Sequence, residues 1–241
     1  MSTSTKHQRC RPTTGAALPV ELCGVAVQLY AGGAVLVAGE SSLLVADLHL
    51  GKDSTFRRSG LAVPSGTNES TLQQVSRLLE LTSAKRLVML GDLIHARSSL
   101  SRGVVETFAE FRESHSDVEF SLVRGNHDRV SRFPDAWGLS ELPAGSILGE
   151  LRLHHEPTDR GGQNGERVLD VAGHLHPSFR LQSRTESLGR LPCFWFRRGC
   201  LVLPAIGEFT GTHNIRRGRL DRIWVDANGT LMEIPSKADL G

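Results

Sequence analysis

Several things are scarce in this chain of 241 residues. No stretch reaches the roughly 18 consecutive apolar residues of a membrane-crossing helix, which argues against a helical membrane protein. Residues 1–15 are polar and lack the apolar stretch of a secretory leader, so the expected compartment is the cytoplasm. The four cysteines, Cys10, Cys23, Cys193 and Cys200, form no Cys-x-x-Cys pair and match no zinc-ribbon spacing, so they read as reduced thiols. Lysine is nearly absent, 4 against 24 arginines, and the formal net charge is only +2. That balance falls short of a strong nucleic-acid footprint. Arginine suits bidentate phosphate contacts, but a codon bias explains its excess equally simply. What remains is 39% hydrophobic and 22% charged, the composition of a globular protein. The expected organisation is a flexible tail over 1–15 and a single domain over 16–241.

Short runs rich in Val, Leu and Ile recur between polar clusters and read as strands. They are Ala34–Val37, Leu43–Ala46, Arg86–Leu90, Val118–Val123, Leu151–His154, Val168–Ala172, Cys193–Phe196 and Leu201–Leu203. Arg222–Val225 and Leu231–Ile234 flank Asn228-Gly229, whose residues both tolerate positive φ, and predict an edge hairpin. Helical spacing appears in Thr67–Leu81 and Arg102–Ser114, each with one apolar face. Strands and helices alternate first and a mostly β half follows, so packed sheets covered by helices are expected. The Gly-rich stretch Pro157–Glu166 is expected to be a loop over the site.

Five segments join an apolar run to residues that bind metals. They are Asp47-Leu48-His49, Gly91-Asp92-Leu93-Ile94-His95, Gly125-Asn126-His127-Asp128, His154-His155-Glu156 and Gly173-His174-Leu175-His176, and they hold seven of the ten histidines. The ends of parallel strands are where α/β folds place their sites. In Asp47-x-His49 and His174-x-His176, an extended backbone would project both side chains to one side. A carboxylate such as Asp92 has two oxygens and can bridge two cations. Mixed carboxylate, imidazole and carbonyl ligands suit Mn, Fe or Zn better than Ca. Asp47, His49, Asp92, Asn126, His155, His174 and His176 are too many ligands for one catalytic ion with an open position, so two divalent ions are expected.

Each segment alone is a weak signal, because Gly, Asn and Asp also form turns. In this order the five resemble the signature of the calcineurin-like metallophosphoesterase superfamily: D-x-H, G-D, G-N-H-D/E, H and G-H-x-H. The run Ala46–Lys52, the His155-Glu156-Pro157 step, Leu191–Phe196, Leu203-Pro204-Ala205 and Phe209-Thr210-Gly211 are similar to the ligase-associated DNA-damage-response phosphoesterases of bacteria, the PdeM family. The resemblance implies an α/β fold, a four-layer α-β-β-α sandwich. It also implies a manganese-preferring dinuclear site active on phosphodiesters and phosphomonoesters, and a setting beside an ATP-dependent DNA ligase, a helicase and an exonuclease.

Position by position, the resemblance puts Asp47, His49 and His176 on one metal, Asn126, His155 and His174 on the other, and Asp92 between them. The implied reaction is in-line attack on phosphorus by a water activated between two cations. His127 would face the phosphate as acid or electrostatic stabiliser, with Asp128 as its orienting partner. His95, where many phosphatases have Asp, resembles the histidine of Mre11-type nucleases near the substrate phosphate; packing against its own loop is the alternative. His155 is preferred to His154 as the ligand, because alternation along the strand puts it with Leu151 and Leu153. Lys52, Arg57 and Arg124 are candidates for phosphate contact, with solvated surface charge as the simpler reading. Besides nucleic-acid diesters such as DNA ends, two readings stand: hydrolysis of small nucleotides, or a largely structural subunit of a repair complex.

Overall fold

The computed structural model describes residues 17–53, 66–129, 132–159, 167–182, 187–208 and 210–235. The expected tail and Arg57 lie outside them, as does most of the Pro157–Glu166 loop.

Two sheets form the frame. The first takes its strands in chain order: β1 (Ala17–Leu22), β2 (Val25–Tyr30), β3 (Ala34–Val37), β4 (Ser42–Val45), β5 (Arg86–Met89), β6 (Glu119–Val123) and β7 (Leu139–Leu142). Pairing is antiparallel from β1 to β4 and parallel from β4 to β7. The parallel half needs crossovers, and helices α1 (Thr67–Thr82) and α2 (Arg102–Ser114) supply two of them.

The second sheet contains β8 (Ser146–Leu148), β9 (Leu151–Leu153), β10 (Leu169–Ala172), β11 (Pro177–Gln182), β12 (Ser187–Arg197), β13 (Cys200–Val202) and β14 (His213–Asn214). Its order is β14-β11-β12-β13-β10-β9-β8, and β10 is parallel to both β9 and β13. The pair β15 (Arg222–Ala227) and β16 (Thr230–Glu233) joins at β12. Its turn is the expected one, with φ of 53° at Asn228 and 86° at Gly229.

Side-chain alternation separates the layers. On the first sheet Leu43, Val45, Leu87, Met89, Phe120 and Leu122 face Leu72, Val75, Leu79, Val104 and Phe108 of the helices. The intervening residues Leu44, Val88 and Val123 face Leu151, Leu153, Leu169, Val171, Phe194 and Leu201 of the second sheet. Strands buried on both faces read as continuous apolar runs, which is why they were visible in the sequence. The outer face of the second sheet, with Cys193, Trp195, Cys200, Val202, Ile223 and Val225, packs with Phe179, Leu181, Leu191 and Ile215. Two packed sheets with helices covering the first are the expected mixed α/β arrangement.

The hairpin of β1 and β2 was not legible. Its turn is Cys23-Gly24, with φ of 52° and 76°. Cysteine gives no turn signal, although the geometry is that of the primed turns joining hairpin strands. Among the described residues no helix is long and apolar enough to cross a membrane.

The helix layer is held by aromatic rings. Phe108 is fully buried, 4.2 Å from the Trp137 ring and 6.1 Å from that of Phe120. Phe108→Ala is expected to cost about 3–5 kcal/mol, read as a lower urea midpoint at unchanged slope. A loss below about 1 kcal/mol would show that this layer is not packed as described.

Candidate metal centre

All five metal-binding segments leave the carboxyl ends of parallel strands and meet between the sheets. β4 delivers Asp47 and His49, β5 Asp92, β6 Asn126 and His127, β9 His155, and β10 His174 and His176. Main-chain bonds stitch the segments together: Asp47 N donates to Gly91 O (3.2 Å), His49 N to Asp92 O (2.9 Å) and Gly173 N to His155 O (3.0 Å). The two sheets are joined at the site itself, where the His174 amide donates to Asp47 Oδ2 at 2.8 Å.

The side chains converge, but by a different backbone from the extended one expected. Asp47 (φ 57°), His49 (48°), Asp92 (48°), His174 (70°) and His176 (45°) are all left-handed, half of the ten non-glycine residues with positive φ among those described. Such a conformation costs about 1–3 kcal/mol per residue and persists only where its surroundings enforce it. Clustering at one spot marks a site whose geometry has been favoured over local stability. Two glycines make the approach possible. A Cβ at Gly91 would strike the His155 ring, and one at Gly125 the Asp92 carboxylate.

Carbonyl groups set the orientation of the rings. His155 Nδ1 lies 2.9 Å from Leu90 O, His176 Nδ1 2.8 Å from Gly211 O, and His127 Nδ1 2.5 Å from His95 O. Each carbonyl can only accept, so Nδ1 carries the proton and Nε2 presents a lone pair. These lone pairs point at other acceptors. His176 Nε2 is 3.2 Å from His49 Nε2 and 3.6 Å from Asp47 Oδ1. His155 Nε2 is 3.1 Å from His174 Nδ1, 3.0 Å from Asn126 Oδ1 and 3.5 Å from Asp92 Oδ1. The other Asp92 oxygen faces His49 Nε2 at 3.7 Å and His127 Nε2 at 3.9 Å.

Two acceptor clusters on either side of one carboxylate fit two cations. The triads Asp47, His49, His176 and Asp92, His155, His174 each bring ligand atoms within 4.8 Å of one another. Asp47 Oδ1 is buried without a hydrogen-bond partner among the described residues, a costly state that a cation bound there would offset; His49 Nδ1, across the ring from the Nε2 that faces the cluster, is unpartnered as well. Burial, then the neighbouring His176 and Lys52, pushes the His49 pKa down to about 2, which keeps its ring neutral and able to ligate. For His176 burial acts downward but is outweighed by the neighbouring Asp47 carboxylate, and the net shift is upward.

The remaining candidates divide. The His127 and His95 rings stack at 5.3 Å beside the cluster, and burial, then the Lys52 charge, lowers the pKa of His95. Lys52 follows the Asp47–Gly51 turn, with its amide on His49 O at 3.2 Å, and burial lowers its pKa. Asp128 does not face the His127 ring. Its buried carboxylate accepts from the amides of Leu93, Ile94 and Gly125, tying the β5 and β6 loops together. The ring's orienting partner is the His95 carbonyl. Nor does Arg124 reach toward the ligands: it makes paired bonds to Glu141 (2.6 and 2.5 Å), a third to Asp128 O (2.6 Å), and lies over the Phe133 ring. Its guanidinium is spent on the frame of the loop. His154 lies apart, its Nε2 3.8 Å from Asp170, whose carboxylate also takes Thr158 Oγ1 and Arg152. The carbonyls of Leu90, His95 and Gly211 left no signal in the sequence, since any residue type carries that group.

Three comparisons bear on identity. Residues 42–197 match the family model described as calcineurin-like phosphoesterase. The crystal structure of the Pseudomonas putida nuclease MPE superposes with a TM-score of 0.77 at 32% sequence identity, covering 91% of this chain and all of that one. The curated lipoprotein-releasing system ATP-binding protein LolD of Jannaschia sp. is 32% identical over 118 residues, 45% of this chain, and the chain spans about half that relative's length. No nucleotide-binding likeness follows, because the one Gly-Lys pair, Gly51-Lys52, is followed by Asp53 and has Ala46 where a phosphate-binding loop begins with Gly. The family match covers more than half of the chain and contains all five ligand-bearing segments: the protein belongs to the calcineurin-like phosphoesterases and is a hydrolase of phosphoester bonds.

Proposed function

We propose that the protein is a manganese-dependent phosphodiesterase acting on nucleic acid, with phosphomonoesterase activity at the same centre. The observation that carries this is the pair of acceptor clusters facing across Asp92, each with one histidine, His176 or His155, whose lone pair is fixed by a main-chain carbonyl. One cation would be held by Asp47, His49, His176 and Asp92, the other by Asp92, Asn126, His155 and His174. Mixed oxygen and nitrogen donors favour manganese over calcium. Two divalent ions supply charge neutralisation at phosphorus and ease deprotonation of the attacking water. The likeness to a nuclease over the whole of its chain supports a nucleic-acid substrate over a small nucleotide.

The chain's own residues supply the rest. His127, with its Nδ1 proton on the His95 carbonyl, presents Nε2 at the rim; in its protonated form that nitrogen donates to a phosphate or leaving-group oxygen. His95 backs this ring by stacking and fixes it by its carbonyl. Lys52 brings a positive charge to the same side and would pair with a non-bridging phosphate oxygen. Asp128 and Arg124 hold the Gly125–Asp128 turn from behind, so that Asn126 and His127 keep their places. The setting beside a DNA ligase, a helicase and an exonuclease is supported by the sequence resemblance.

Asp92→Ala is expected to abolish hydrolysis of bis-p-nitrophenyl phosphate and to lower bound manganese, measured by elemental analysis. Unchanged metal content with retained turnover would sink the two-metal reading. His127→Ala should lower kcat on the same diester by ~10²–10⁴-fold while manganese content stays at the wild-type level; metal loss would instead make His127 a ligand. Chelation should silence the wild-type protein, and manganese should restore it. Cleavage of single-stranded, nicked or duplex DNA by the restored enzyme, absent in Asp92→Ala, would decide for nucleic acid over small esters.

A further inference from the structure

The strand that begins at the metal centre leads away from it into a row of arginines. β11 starts at Pro177, directly after His176, and pairs with β12 on one side and β14 on the other. Arg180 lies directly opposite Arg190. The β11–β14 register runs Pro177↔His213 and Ser178↔Asn214, the second pair closed by the Ile215 amide on Ser178 O at 2.9 Å. Arg216 follows two residues beyond β14, at the same edge of the sheet. The row one step nearer the centre confirms which way these side chains point: Phe179, its partner Leu191 and Ile215 all pack inward. Alternation then turns Arg180 and Arg190 outward together, and both are exposed, as is Arg216.

Like charges directly opposite on a sheet are unfavourable, and here Arg180 and Arg190 face each other at the usual strand spacing of about 4.8 Å, with Arg216 just beyond the paired part of β14. Other arginines of the second sheet and its connections are partnered. Arg197 and Arg198 pair with Asp159, Arg222 pairs with Glu233, and Arg217 is bonded to the carbonyls of Asp221 and Pro235. The three in the row have no ion pair among the described residues. Guanidinium groups in parallel suit phosphate oxygens, which take two donors at once. The row sits about four residues, or ~13 Å, along β11 from His176, farther than a small ester bound at the metals can reach.

We infer that the outer face of β14, β11 and β12 is a track for the phosphodiester backbone of a polynucleotide, gripping the strand beyond the phosphate that is cleaved. This rests on the phosphodiesterase reading above and deepens it: the row selects polymer over monomer, while the metal centre is indifferent to length.

The test compares the manganese-loaded full chain with a variant carrying Arg180→Gln, Arg190→Gln and Arg216→Gln. A second variant, Arg77→Gln, Lys85→Gln, Arg102→Gln, removes the same formal charge from the helix side. DNA binding is followed by fluorescence anisotropy in the slow His127→Ala background, with single-stranded and duplex 20-mers over a series of KCl concentrations. Bis-p-nitrophenyl phosphate turnover, measured without that background change, reports on the metal centre separately. The row variant should lose about tenfold or more in DNA affinity, and its slope of log K against log salt should fall by about 2, from ~0.7–0.9 per phosphate contact. The helix-side variant should bind as the parent does, and diester turnover should be preserved in both. Equal loss in the two variants would reduce the effect to net charge and overturn the track. So would unchanged affinity and slope in the row variant, or polyglutamate displacing DNA at equal charge concentration. Diester turnover with no DNA binding by the parent also overturns it, leaving a small-molecule phosphodiesterase. Absence of diester turnover counts against the metal-centre reading alone, since the anisotropy comparison still decides the track. The single- and double-stranded arms show which form of the backbone the row accepts.

Discussion

The Asp47 carboxylate holds the two halves of this protein in register. One oxygen takes the His174 amide from the second sheet, and the other faces His176. Its own main chain bonds Gly91 on one side and Gly207 on the other. Burial of Val88, Leu90 and Val123 against Leu153 and Val171 presses the sheets together, but apolar packing is non-directional and tolerates sliding. A charge-assisted bond to a fixed amide does not. The ligand geometry therefore depends on this contact, and the packing supplies the force that keeps it dry.

How far the sequence announced this differs between layers. The clustered Asp and His side chains were legible because they are chemically distinctive and lie at the ends of apolar runs. The helices Thr67–Thr82 and Arg102–Ser114 were legible because only one of their faces is apolar. What was hidden lies in the backbone. Asp47, His49, Asp92, His174 and His176 are left-handed, and although Asp and His enter that region more readily than most residues, nothing in the local sequence says which of them will. The turn at Cys23-Gly24 was hidden for the same reason. Charged side chains misled in another way: Arg124 stands one residue from the Gly125 turn, yet Glu141, nearly twenty residues on in sequence, claims its guanidinium. Local sequence shows what a side chain can bind and leaves open which partner the tertiary fold brings to it.

The row of arginines on β11 and its neighbours shows the converse. Individually Arg180, Arg190 and Arg216 are three of 24 arginines and carry no signal. Only strand pairing sets Arg180 opposite Arg190 and brings β14, with Arg216 just beyond it, to the same edge. Their meaning lies in register, a property that composition cannot express and that a slip of one residue would destroy, since it would turn the whole row inward.

The order in which the chain supplies its ligands has a consequence for biogenesis. The first sheet, complete at Leu142, holds Asp47, His49, Asp92, Asn126 and His127, but His155, His174 and His176 all come later. Neither cation would have its full set of ligands until β10 has docked between β9 and the later β13. Contacts between groups so distant in sequence form late. Hydrolytic competence thus arrives only with the finished fold, and a nascent or truncated chain ending within the first sheet carries an incomplete centre beside any nucleic acid it meets.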